Sequence, residues 1–130
     1  MPASPSASGE VIGIATEIED FPDGGGPGKY WDAHWTVMVP GVGSLYGYEI
    51  ETIVADEFEE TMQMLADEQW TGSIERRMTS GPSPDGYGVI VGGTGAWEGA
   101  TGRFAEVIHF SQAAPDAERV VQMGLRFILE

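Results

Sequence analysis

The chain has 130 residues and no cysteine, and 21 acidic against six basic residues give it a formal charge of −15. That length makes one domain able to bury well over half of its unfolded surface, and the missing thiols exclude disulfides and cysteine chemistry. The six cations, Lys29, Arg76, Arg77, Arg103, Arg119 and Arg126, are scattered, which argues against nucleic acid as a partner and against an anionic membrane surface.

Residues 1–9 have neither a basic n-region nor an apolar h-region and are expected to form a disordered leader, with a single domain over 10–130. The first strand is expected over 10–20, where Ile12, Ile14 and Ile18 alternate with Val11, Gly13, Ala15, Glu17 and Glu19. A Pro/Gly loop covers 21–28. The next strand, 30–39, has Trp31, Trp35, Val37 and Val39 in phase. A turn at 40–43 leads into 44–54, with Tyr46, Tyr48, Ile50, Thr52 and Val54 on one face. Residues 58–65 fit two periods. Phe58, Met62 and Leu65 have helical spacing, with Asp56 and Glu59 as a capping box, while Phe58, Glu60, Met62 and Met64 alternate as a strand. Further strands are expected at 70–79, 87–91, 103–111 and 118–129, the last with Val121, Met123, Leu125, Phe127 and Leu129 in phase and a turn at 112–116 before it. No apolar run approaches membrane-spanning length.

Seven or eight short strands between Gly/Pro turns point to a closed antiparallel barrel or a sandwich. The final strand is apolar on both faces, which asks for an interior on one side and a second layer or subunit on the other.

The densest motif is Gly92-Gly93-Thr94-Gly95-Ala96-Trp97-Glu98-Gly99-Ala100-Thr101-Gly102, five glycines in eleven residues. It is not a phosphate loop: Glu98 occupies the third position of a Gly-x-Gly-x-x-Gly spacing, no Gly-Lys-Ser/Thr follows, and 103–110 reads as a strand instead of a helix. The run is expected to be a strand–turn–strand corner, with Trp97 plugging one end of the fold.

With its flanks, from Val89 to Phe104, this run resembles the strand–GGxGxΦxGAxG–strand signature of the allene oxide cyclase and dirigent barrel superfamily. The resemblance extends more weakly over 10–129. It implies an eight-stranded antiparallel barrel with a central apolar cavity, often trimeric, and no metal or organic cofactor. It also places 58–77 in a hairpin, which favours the strand reading of the ambiguous segment. In allene oxide cyclases a first-strand Glu within Glu-Ile-Asn polarises the substrate; here the matching residues are Glu17-Ile18-Glu19, so Glu17 matches and Glu19 departs from Asn. That departure argues against allene oxide itself and turns the reading toward cyclases that fold polyene or polyketide intermediates into rings.

Glu17, Arg76 and Tyr48 are the catalytic candidates. If the face of Glu17 lines the interior, burial raises its pKa and suits it to acid chemistry; if Ile12, Ile14 and Ile18 turn inward instead, both Glu17 and Glu19 face solvent. Arg76 shares a face with Trp70, Ile74 and Met78 and is expected either to orient a carbonyl oxygen or to join a structural ion pair. Glu19, Trp35, Met38, Met62, Met64, Trp70, Met78 and Phe104 are the substrate-binding candidates, because thioether and aromatic linings suit a lipophilic guest; ordinary core packing is the alternative for most of them. His34 and His109 lack ligand spacing, and no metal site is expected. The reading is a cofactor-independent cytoplasmic cyclase, forming a homo-oligomer (dimer or trimer), that closes a ring in a lipophilic linear intermediate by an intramolecular [4+2] or related reaction. A non-catalytic lipophile-binding or dirigent-like protein is the alternative.

Overall fold

The computed structural model describes residues 10–22, 24–26, 28–52 and 55–130; the expected leader 1–9 and Val54 lie outside them. The elements are β1 (Ile14–Asp20), β2 (Tyr30–Val39), β3 (Gly43–Thr52), α1 (Ala55–Ala66), β4 (Gly72–Arg77), β5 (Thr79–Gly81), β6 (Gly88–Gly95), β7 (Gly102–Gln112) and β8 (Val120–Leu129). All eight strands belong to one antiparallel sheet, curled into a half-barrel. Strands β1, β2 and β3 form a meander, and the far side of β3 is shared: Gly43–Tyr48 pairs with β6 and Ile50–Glu51 with β5. One side of β7 is shared in the same way by β6 and β4, and β8 covers the other. Met78 is the crossing point, since its N–H donates to the Glu106 carbonyl at 2.9 Å while its own carbonyl accepts from the Thr52 N–H at 3.2 Å. The chain therefore leaves β7 for β3 within one residue, which divides the strand expected over 70–79.

The segment 58–77 is corrected, because residues 55–66 are helical and only 72–77 is strand. Asp56 and Glu57 lie in the first turn, where acidic side chains favour the helix dipole, and Phe58, Met62 and Leu65 turn together toward the sheet at i, i+4, i+7. The glycine run behaves as its context suggested. β6 extends to Gly95, 96–99 forms the turn, and β7 starts at Gly102. Gly95 has φ +62°, and a Cβ there would stand 2.3 Å from the Val42 carbonyl oxygen, so only glycine fits this corner.

The hydrophobic core lies on the inner face of the sheet, toward one end. Trp35, Leu45, Ile90 and Phe104 form it, with Trp97 and Phe127 packed against them. Phe104 is fully buried and stacks on Phe127 with centroids 5.6 Å apart. Its ring abuts Gly47 and Gly88, where a Cβ would come within 2.7 Å of it. Burying these aromatic and aliphatic groups contributes roughly 1.5–3 kcal/mol per side chain. They close this end of the half-barrel and leave the other to α1. Among the described residues no helix is long and apolar enough to cross a membrane.

Candidate functional site

Antiparallel register decides which side chains meet. Glu17 of β1 stands opposite Trp35, Ala33 opposite Glu49, and Trp31 opposite Glu51, so all share the inner face. On β7 the same face carries Phe104, Glu106, Ile108 and Phe110, since Phe104 pairs with Phe127 and with Gly88. One carboxylate oxygen from each of Glu17, Glu49, Glu51 and Glu106 lies within 4.8 Å of the others. Three of these residues are nearly or fully enclosed, with Glu49 0 %, Glu51 2 % and Glu106 3 % exposed.

Neutral donors hold them. The Trp31 indole N–H donates to Glu51 Oε2 at 3.0 Å, and that of Trp35 to Glu49 Oε2 at 2.5 Å. The Thr79 hydroxyl donates to Glu49 Oε1 at 2.7 Å and accepts from the Glu106 N–H at 2.7 Å, tying β3, β5 and β7 together. Glu17 Oε2 and Glu106 Oε1 are buried with no hydrogen-bond partner. Loss of solvation, reinforced by neighbouring carboxyls, pushes the Glu17 carboxyl up to about 7, Glu106 to about 8 and Glu51 to about 10. The four glutamates are also the set among the described residues that could hold a metal ion.

Further along β7, under α1, is an apolar cavity of about 220 Å³ lined chiefly by Phe58, Met62, Leu65, Met78, Ile108 and Phe110, with Arg76 at its wall. Ile108 follows Glu106 by two residues on the same face, about 7 Å along the strand. Arg76 is already engaged there: its Nε donates to Thr61 Oγ1 at 3.0 Å and its Nη2 pairs with Glu60 at 3.2 Å.

The structure thus separates the residues expected from sequence. Glu17 and Trp35 enter the carboxyl cluster, and Met62, Met78 and Arg76 line the cavity. Ile14 and Ile18 face outward, 67 % and 74 % exposed, so the inward alternative for Glu17 is the one adopted. Tyr48 lies on the opposite face, where its hydroxyl donates to Asp32 at 2.6 Å and its ring packs on His34. That bond raises the phenol pKa, and the tyrosine does not reach the interior. Met38 shares the outer face and is 50 % exposed. Phe104 belongs to the core, Met64 is buried on α1 away from the cavity lining, and Trp70 lies beneath Arg119, whose guanidinium is 5.7 Å from its ring centroid. Glu19 is exposed near the end of β1. Glu49, Glu51 and Glu106 were missed by the sequence reading. A signal for Glu106 was present, because it interrupts the otherwise apolar alternation Phe104, Ile108, Phe110.

Compared with known proteins, the chain matches no protein-family model, no curated sequence and no solved structure. The class it defines is therefore set by its geometry: a curled antiparallel sheet whose inner face carries a buried carboxyl cluster and, further along β7, a helix-capped apolar cavity.

Proposed function

We propose that the interior binds a linear, lipophilic intermediate of polyketide or polyene type and closes a ring in it, by an intramolecular [4+2] cycloaddition or a related step. The observation that carries this reading is an apolar cavity on the same face of β7 that carries, at Glu106, a buried cluster of carboxyl groups. A flexible chain seated there has its reacting segment against Phe58, Met62, Met78 and Phe110, and a polar head directed at the glutamates. Holding both reacting ends in one cavity removes much of the entropic barrier to ring closure; well-oriented intramolecular reactions gain about 7–11 kcal/mol in this way. At about 220 Å³ the cavity is smaller than the roughly 300–1,000 Å³ of drug-sized sites, so it takes the reacting segment and leaves the rest of the chain at the open side.

Membership of the allene oxide cyclase and dirigent barrel superfamily is part of the proposal, supported by the corner that 89–104 forms. So is closure of the half-barrel into a full barrel, with β1 meeting β8 around the bound chain. The test is incubation of the purified protein with linear polyenoyl intermediates, following the cyclic product by chromatography. Acceleration over buffer is expected; saturable binding without acceleration would replace the cyclase reading with a dirigent-like carrier.

A further inference from the structure

Four carboxylates converge on one point of an otherwise apolar interior, and none of the five arginines is bonded to them. Arg76 is held by Glu60 and Thr61, Arg77 by the Gly86 carbonyl, Arg103 by Asp85, Arg119 by Gln112 and Arg126 by Glu75. Among the described residues the side-chain donors that reach the cluster, two indoles and a threonine hydroxyl, are neutral, and Glu19 beside Glu17 adds a further carboxyl. An isolated buried charge is among the costliest things a fold can contain, so such carboxyls either keep their protons or give them up to a coordinated cation. Apart from the clustering, Glu106 is 3 % exposed, its carboxyl faces those of Glu49 and Glu51, and its buried Oε1 finds no donor among the described residues.

We infer that Glu17, Glu49, Glu51 and Glu106 form a binding site for one hard divalent cation of the size and chemistry of calcium. The donor set is all oxygen, which suits hard cations better than the nitrogen- and sulfur-seeking metals. The spacing fits as well. Oxygens bound to one Ca²⁺ at 2.3–2.6 Å lie at most about 4.6–5.2 Å apart, and the four ligand atoms here fall within 4.8 Å of one another. Mg²⁺ demands a strict octahedral shell and sheds its waters reluctantly, so an all-protein cage of carboxylates suits it less well. The neutral donors act as a supporting shell. Trp31 orients Glu51, and Trp35 with Thr79 orients Glu49, each bond using one lone pair of an oxygen that keeps another for the ion. Glu17 comes from the edge strand β1, so the ion would fasten that edge to β3 and β7. The site stands independently of ring closure.

The experiment titrates the chelator-treated full chain with Ca²⁺ alone at pH 8 and physiological salt, by calorimetry. In parallel, Tb³⁺ serves as a luminescent calcium mimic, excited through the indoles of Trp31 and Trp35 that bond to the ligand glutamates. One Ca²⁺ per chain, a raised melting temperature, and Tb³⁺ emission displaced by Ca²⁺ but not by equal Mg²⁺ are expected. Glu106→Gln and Glu51→Gln, each checked for an unchanged circular dichroism spectrum, should weaken binding at least about tenfold, the lower range for loss of a metal site's supporting group. No saturable uptake at millimolar Ca²⁺, or no indole-sensitised Tb³⁺ emission from the folded wild-type chain, overturns the inference. Stoichiometric binding that persists in both variants also overturns it, because the ion would then sit on the acidic surface.

Discussion

Raising the pH should destabilise the calcium-free protein across a range in which an ordinary acidic protein changes little. A carboxyl whose pKa rises on folding favours the folded state while it is protonated. Its contribution is complete below the unfolded value near 4.5 and is lost as the pH climbs through the folded values, from about 7 at Glu17 to about 10 at Glu51. The groups facing these carboxyls are Glu19 beside Glu17, and Glu49, Glu51 and Glu106 facing one another, so charge repulsion reinforces desolvation. If the folded cluster keeps one proton between pH 5.5 and 7.5 while the unfolded chain has released it, stability falls by about 1.4 kcal/mol per pH unit. That is about 3 kcal/mol over the window, and a second retained proton doubles it. For a domain of this size the melting temperature drops by about 10 °C or more. Thermal melts by circular dichroism in chelator and 150 mM salt, which screens the surface charge, provide the assay. Glu106→Gln should flatten the slope by up to one proton's share. A melting temperature that is constant or rises from pH 5.5 to 7.5 would show that the folded cluster retains no proton in this range.

Two further consequences concern the frame around the site. Phe104→Ala, at a fully buried ring resting on Gly47 and Gly88, should cost about 3–5 kcal/mol in urea denaturation; a loss below about 1 kcal/mol would mean that this end of the half-barrel is not closed as described. Arg119 donates to the Leu65 and Asp67 carbonyls at the end of α1 and to Gln112 of β7. Arg119→Met should therefore speed amide hydrogen exchange across α1 more than across β2 or β3, whereas equal protection in all three would remove its role as the helix clamp.

Much of the fold was legible because strand alternation and Gly/Pro turns are local signals. The interior chemistry was not, and β3 shows why. The apolar alternation Tyr46, Tyr48, Ile50 pointed to that face as the structured one, yet the buried face carries Leu45, Gly47, Glu49 and Glu51. The deciding signal was the turn. A tight connection at 40–42 pairs Val39 with Gly43 and thereby every odd residue of β2 with an odd residue of β3. Trp31 and Trp35, correctly placed in phase, fix Glu49 and Glu51 on the inner face beside them. Sequence reasoning discounts buried glutamates because an unpaired charge is costly, and only the tertiary meeting of β1, β3 and β7 supplies their company. The helix was misjudged for a related reason. Phe58, Met62 and Leu65 had the right period, but the hairpin implied by the resemblance outweighed it, and the cavity they cover exists only once Met78 carries the chain from β7 to β3.

The central claim is that the cavity under α1 is where a linear substrate is folded for ring closure. Met62 lines it from the helix and is 44 % exposed, so Met62→Trp fills the space without disturbing the core. The decisive measurement is the rate of cyclisation of a linear polyenoyl substrate with wild-type protein, with Met62→Trp at matched melting temperature, and in buffer. Wild-type protein should accelerate the reaction, and the tryptophan should abolish that acceleration. Equal rates in all three samples, or full acceleration with the cavity filled, would contradict that role of the cavity.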